Sequence, residues 1–304
     1  MSILITGATG FVGRNLIKYF QQFNIEVLTM PRATLQFVTS ADLANVTVVI
    51  HLAGKAHDLK KVSNFNEYYD VNYELSKQIY YAFLGSQAEK FIYLSSVKAV
   101  ADSILTVLTE DTFPNPQTHY GRSKLMAEEY IQSQILPSGK SYFVLRPCMI
   151  HGPGNKGNLN LLYKFVQTNL PYPLAAFQNR RSFLTVENLC FIIKEIVERS
   201  DINTGIYNVS DDLPLSTNDV VSILATSLKR KPKLWRFPIS IIKFVATLGD
   251  KLNLQLNTEK LDKLTEDYII SNLKIKEALG KNLPISASDG LFLTAISFNK
   301  SSLP

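Results

Sequence analysis

Three glycines, Gly7, Gly10 and Gly13, follow the apolar run Ile3-Leu4-Ile5-Thr6 and open a stretch whose apolar residues recur at helical spacing. A strand that turns through glycines straight into a helix is the setting in which such a triplet marks a dinucleotide site. One glycine permits the tight turn, the next lets backbone approach a pyrophosphate, and the last allows close helix packing. The helix N-terminus then offers free N–H groups and partial positive charge to the phosphates. Gly7, Gly10, Phe11, Val12 and Gly13 are therefore the first candidate binding residues.

The first half of the chain alternates short β-branched runs with longer helical patterns, which predicts an α/β fold with a Rossmann-type, doubly wound parallel sheet. Strands are expected at Ile3–Thr6, Glu26–Thr29, Val46–Leu52, Phe91–Ser95 and Tyr142–Leu145, and helices at Val12–Phe23, Tyr68–Phe83 and Ser123–Gln134. After Arg146 the residues Pro147, Gly152, Pro153, Gly154 and Gly157 crowd into one turn-rich segment, which marks a departure from the sheet. Helices at Leu159–Asn169 and Val186–Glu198 and a strand at Gly205–Val209 follow. The expected organisation is a nucleotide-binding domain over 1–150, with 181–210 returning to it, and a smaller, mostly helical C-terminal substrate lobe from 151–180 and 211–304.

At 304 residues and 46% hydrophobic content the chain buries a large core. Its net charge of +6 comes from scattered basic residues, which favours a small anionic substrate over nucleic acid. The densest basic stretch, Lys229-Arg230-Lys231 with Lys233 and Arg236, reads as a solvated face. Cys148 and Cys190 lie apart in apolar surroundings without histidines at metal-ligand spacing, so both are expected to be reduced core residues and no metal site is expected. The N-terminus lacks a signal-peptide pattern, and a cytoplasmic protein is expected. Ile239–Leu248 is apolar but too short to span a bilayer; with Trp235 it leaves a peripheral membrane contact open.

Tyr120 and Lys124 stand four residues apart, on one face of an expected helix. A phenol is a poor base at neutral pH unless a cation stabilises its phenolate, and Lys124 is placed to supply one. Upstream, Phe91-Ile92-Tyr93-Leu94 ends in Ser95 and Ser96, at the strand end that faces the ligand crevice of such a sheet.

With Gly-x-x-Gly-x-x-Gly, then Ser96 placed 24 residues before Tyr120-x-x-x-Lys124, the chain resembles the extended short-chain dehydrogenase/reductases of the NAD-dependent epimerase/dehydratase family. The resemblance implies catalysis by Ser96, Tyr120 and Lys124: Ser96 bonds a sugar oxygen while Tyr120 moves its proton. It implies further cofactor contacts at Asp42, Leu43, Leu52, Ala53, Gly54 and Pro147, together with Tyr120 and Lys124. Asn72 matches a helix Asn that buttresses the sheet. The acidic residue that usually ends the second strand is absent, and Arg32 stands close by. An Arg there accommodates a 2′-phosphate, so either NAD or NADP is expected.

Arg181, in Arg180-Arg181-Ser182-Phe183, matches the Arg that grips the substrate pyrophosphate in relatives, a role suited to a guanidinium fork. Ser182 and Asn188 replace two acids of that segment. Ser96, Lys98 and Asn158 complete the implied substrate set, and His151 replaces a usual Tyr and is expected to be structural. Val97 and Lys98 stand where a dehydratase would carry acids, which disfavours dehydration. Ser96-Val97-Lys98 and the Arg181 segment give the closer likeness, to the group around UDP-glucose 4-epimerase. That likeness implies hydride transfer at C4 of a UDP-sugar and a homodimer formed through the helices at Tyr68–Phe83 and Ser123–Gln134. An NADPH-dependent 4-ketoreductase making a deoxy-amino sugar nucleotide for surface polysaccharide is the alternative reaction, and a non-catalytic dinucleotide-binding protein is the alternative class.

Overall fold

Strands β1 (Ile3–Thr6), β2 (Val27–Thr29), β3 (Val48–His51), β4 (Lys90–Leu94), β5 (Ser141–Pro147) and β8 (Gly205–Val209) form one parallel sheet in the order β2-β1-β3-β4-β5-β8. They belong to a computed structural model that describes residues 2–55, 64–155, 157–252 and 257–300. Because alternate side chains of a strand point to opposite faces, Ile3, Ile5, Ile50 and Leu145 enter one core and Leu4, Val49, Phe91 and Val144 the other. The first is closed by helices α1 (Phe11–Gln21) and α7 (Val186–Glu198). The second is closed by α4 (Leu75–Leu84) and α5 (His119–Ser133). Between β2 and β3 lies the short α2 (Arg32–Leu35), and α3 (Asn66–Tyr69) leads through a π-helical turn, Asp70–Glu74, into α4. The helix expected at Tyr68–Phe83 is thus interrupted where it meets the sheet. Among the described residues no helix is long and apolar enough to cross a membrane.

Strands β6 (Met149–His151) and β7 (Phe183–Thr185) pair in parallel where the chain leaves the main sheet. Helices α6 (Asn158–Gln167), α8 (Thr217–Ser227), α9 (Ile239–Leu252), α10 (Thr258–Thr265) and α12 (Ala287–Lys300) share a third core that includes Leu159, Leu224, Ile242, Leu261 and Leu291. This is the helical lobe expected from the sequence, with one correction. Tyr268, Ile270 and α11 (Leu273–Leu279), which fall in the stretch assigned to the lobe, pack into the main core through Ile275 and Leu279. Their apolar side chains cover the edge strand β8, which would otherwise stand open.

Candidate active site

The sheet reverses its winding at β1: β2 pairs on one side and β3 on the other, so a crevice opens beyond their C-terminal ends. Gly7 lies there at φ 71°, and a Cβ on it would stand 2.6 Å from the Ala53 nitrogen. A Cβ on Gly13 would stand 2.4 Å from the Gly7 carbonyl oxygen. Helix α1 begins at Gly10 without a side-chain cap and without an acid in its first turn. This cradle of bare backbone and uncapped N–H groups fits the pyrophosphate of a dinucleotide.

The β3 end is fixed by Asn72, buried in the π-helical turn. Its Oδ1 accepts from the Lys55 nitrogen at 2.7 Å, and its Nδ2 donates to the Lys55 carbonyl and to Ser123 Oγ, each at 3.1 Å. One side chain therefore ties the Leu52-Ala53-Gly54 loop to α5, beside Lys124. His51 closes β3 with Nδ1 2.7 Å from Thr6 Oγ1 and Nε2 2.9 Å from Ser76 Oγ. Burial pushes its pKa down to about 3, with Lys124 adding to the effect, so the ring is a neutral structural link.

Ser96, at the end of β4, begins a short 3-10 turn, Val97–Ala99, and accepts from the Lys98 nitrogen at 3.2 Å. Helix α5 begins at Thr118, whose hydroxyl accepts from the Gly121 nitrogen at 3.1 Å, which puts Tyr120 in the first turn and Lys124 one turn on. The two elements touch at Gly121, where a Cβ would meet the Lys98 carbonyl oxygen at 2.3 Å. That close approach brings Ser96 and Tyr120 into hydrogen-bonding contact. The Ser95 hydroxyl is engaged elsewhere, donating to Glu128. Glu128 is itself buried against Arg146, whose Nη2 lies 2.6 Å and Nε 2.9 Å from its Oε2.

Burial raises the Tyr120 pKa, while the Ser96 hydrogen bond opposes it and Tyr68 adds to it. Lys124 Nζ donates to the Leu94 carbonyl at 2.8 Å and lies 4.8 Å from the Tyr93 ring. Burial lowers the Lys124 pKa to about 8, opposed by Glu128. Lys124 is thus aimed at the crevice floor beside Gly54, a position suited to holding a cofactor hydroxyl.

Lys98 and Arg181, both expected to contact a substrate, lie near the Tyr268 ring. Lys98 Nζ lies 4.4 Å and the Arg181 guanidinium 5.8 Å from that ring. Tyr268 is anchored by its hydroxyl, which donates to the Ala101 carbonyl at 2.6 Å. The Lys98 ammonium also donates to the Asp102 carbonyl at 2.7 Å. Desolvation lowers the Arg181 pKa, opposed by Tyr268, Glu266 and Asp267. Nothing in the sequence singled out Tyr268; its aromatic character in an apolar run, Tyr268-Ile269-Ile270, was the available signal.

The two positions where the family pattern loses acids are explained by their neighbours. Asn188 Nδ2 donates to Asp211 at 2.7 Å and to the Ile285 carbonyl at 2.8 Å, so an acid there would confront a second carboxylate. Burial raises Asp211 to about 6 even with Asn188 and Thr185 opposing. Ser182 Oγ accepts from the Ile270 nitrogen at 2.9 Å and ties β7 to the segment carrying Tyr268. His151 is fully buried with Nδ1 2.9 Å from Thr294 Oγ1, and burial lowers it to about 4, a structural role as expected.

The remaining predicted residues are more dispersed. Arg32 is exposed at the start of α2, and its charge helps lower the Glu67 pKa, behind the larger effect of Lys55. The Asp42 carboxylate accepts from the Thr39 nitrogen and hydroxyl at 2.8 and 2.7 Å, while Leu43 is wholly buried in the second core. Pro147 ends β5 and is buried; Asn158 is exposed at the start of α6. Cys148 and Cys190 are free and buried. A cavity of about 520 Å³ lies elsewhere, among α1, α7 and α12, and holds none of Ser96, Tyr120 and Lys124.

Fold and site together define a dinucleotide-binding α/β protein with a Ser–Tyr–Lys centre. The model of the NAD dependent epimerase/dehydratase family matches residues 3–210, and the chain belongs to that family. It is 29% identical to a UDP-glucose 4-epimerase of Vibrio cholerae, over 98% of this chain and 95% of the relative. It is 27% identical to the N-acetyl-alpha-D-glucosaminyl-diphospho-ditrans,octacis-undecaprenol 4-epimerase of Escherichia coli O157:H7, over 91% and 85%. Its fold matches the UDP-glucuronic acid 4-epimerase of Bacillus cereus, solved with NAD, at TM-score 0.76 and 19% identity over 99% of both chains.

Proposed function

We propose that the chain is an NAD-dependent enzyme that inverts C4 of a UDP-linked sugar. The observation that carries this reading is the contact of Ser96 with Tyr120, one helical turn from buried Lys124 and beside the glycine cradle. The family match and the Vibrio cholerae relative support it, and the Escherichia coli relative supports inversion at C4 of a diphosphate-linked sugar.

When bound, the nicotinamide supplies the hydride acceptor and, in its oxidised form, a positive charge. Ser96 and Tyr120 grip the C4 oxygen of the sugar. Tyr120 as phenolate would take the C4 hydroxyl proton and later give it back, the removal of hydride from C4 and its return to the other face being the chemistry the cofactor would supply. Burial raises the Tyr120 pKa, and the positive charge of an oxidised cofactor would act against that shift. Lys124 and the Leu52–Gly54 loop would hold the cofactor. Lys98 and Arg181, both near the Tyr268 ring, are the groups suited to the substrate diphosphate.

Helices α4 and α5 present exposed Tyr81 and Met126, and we assign a homodimer to that surface. The two buried free thiols fit a reducing compartment such as the cytoplasm. The exposed Arg32 favours the second reading, an NADPH-dependent 4-ketoreductase. Denaturing the purified protein and identifying the released nucleotide separates them. Near-stoichiometric NAD, with interconversion of C4-epimeric UDP-sugars, supports the epimerase. A protein that oxidises NADPH with a 4-keto sugar nucleotide and interconverts no epimers is the reductase.

A further inference from the structure

Between Asp219 and Asp250 the chain carries an excess of six positive charges. From Val220 to Gly249 there are six basic residues, Lys229, Arg230, Lys231, Lys233, Arg236 and Lys243, and no acid; the other 26 basic residues are matched by the 26 acidic ones. Among the described residues none of the six has a carboxylate partner. Arg230 and Lys233 instead donate to the backbone carbonyls of Gln167 and Asn169, at 2.8 and 3.2 Å. Such partners fix the side chains without neutralising them.

The same stretch carries an apolar face that the fold leaves open. Helix α9 buries Ile242, Ala246 and Gly249, a stripe at i, i+4 and i+7. Next to that stripe Ile241, Phe244, Val245 and Leu248 form a second one, and all four are exposed, Phe244 by 69%. Trp235 and Phe237, immediately before the helix, are exposed as well, with ring centroids 5.6 Å apart. Their position is built: the Trp235 nitrogen donates to the Tyr172 carbonyl at 2.9 Å, and its carbonyl accepts from the Ala175 nitrogen at 3.3 Å. At 14 residues α9 is about 21 Å long and lies outside the length that spans a bilayer.

We infer that α9 and the Trp235–Phe237 segment dock the protein on an anionic lipid bilayer. The Phe244 and Leu248 stripe enters the boundary of headgroups and acyl chains, while Lys229, Lys231, Arg236 and Lys243 meet lipid phosphates. An apolar stripe with aromatic residues beside uncompensated basic ones is the combination an interfacial helix requires. A second copy of the chain would bring the same positive charge to the same face, which argues against self-association there. The inference stands on this surface alone and is independent of the sugar turned over.

Trp235 is the chain's single tryptophan, so its fluorescence reports the contact directly. Intact protein is mixed with vesicles of phosphatidylcholine, or of phosphatidylcholine and phosphatidylglycerol in equal parts, and is also pelleted with them. The expected result is a blue shift and co-sedimentation with the anionic vesicles alone, reversed by about 0.5 M salt. Phe244→Glu and the double variant Lys229→Ala/Lys231→Ala should each lower the bound fraction at least about tenfold while UDP-sugar turnover in solution is unchanged. No shift with either vesicle, or equal binding to both, overturns the inference. So does a Phe244→Glu variant that converts a dimer to a monomer in sedimentation velocity, which would assign the face to a second copy.

Discussion

The proposed catalytic pair and the proposed substrate side are held in different ways. Ser96 and Tyr120 are brought together by main chain: the Lys98 carbonyl presses on Gly121, and Thr118 caps α5 two residues before Tyr120. Lys98 and Arg181 are brought together by the side chain of Tyr268, anchored across the molecule on the Ala101 carbonyl. Backbone contact leaves little room for adjustment, whereas the long Lys98 and Arg181 side chains beside the ring can change rotamer to meet a different substrate shape. Proton transfer demands the first kind of placement, and recognition of a variable sugar nucleotide tolerates the second.

The largest effect expected is on the rigid side. Tyr120→Phe removes the proton carrier and should lower kcat by about 10²–10⁴-fold with the melting temperature nearly unchanged, as steady-state kinetics and calorimetry would show. Gly121→Ala sharpens the comparison, since its methyl must displace a backbone oxygen at 2.3 Å. It should cost about 1–3 kcal/mol of stability and at least about tenfold in kcat, measured by denaturant unfolding and turnover. On the yielding side, Arg181→Lys keeps the charge and loses the fork, so KM should rise about tenfold with kcat changed less. A fall in kcat as large as that of Tyr120→Phe would break the distinction.

The smallest effect concerns pH. His51 titrates at 6.5 when unfolded and at about 3 when folded, so the unfolded chain binds more protons between those values and stability falls as pH drops from 6.5. His151, lowered to about 4, acts in the same sense, and Asp211, raised to about 6, opposes it between 3.8 and 6. Replacing His51 by Asn should flatten the acid slope of unfolding free energy by up to about 1.4 kcal/mol per pH unit. An unchanged slope would show that the ring is protonated in the folded protein.

The same division decided what was legible in the sequence. The glycine turn, Ser96 and the Tyr120–Lys124 pair are local patterns tied to element ends, and the structure brings them to one crevice. The sequence did not show that the Lys124 ammonium also donates to the Leu94 carbonyl at the end of β4. Tyr268, Gly121 and the Glu128–Arg146 pair depend on contacts between distant segments and left no periodic or motif signal. Leu43 reads as a cofactor contact by resemblance, yet the core takes its side chain. Ser182 and Asn188, departures from the family pattern in sequence, become intelligible beside Ile270 and Asp211.

The most direct test of the account is to supply a UDP-hexose carrying deuterium at C4 and analyse the C4 epimer formed. The account predicts that the label stays at C4 through the reaction, without added cofactor and without exchange with solvent. Loss of the deuterium to water or to free nicotinamide cofactor would contradict a hydride that leaves and returns within one site.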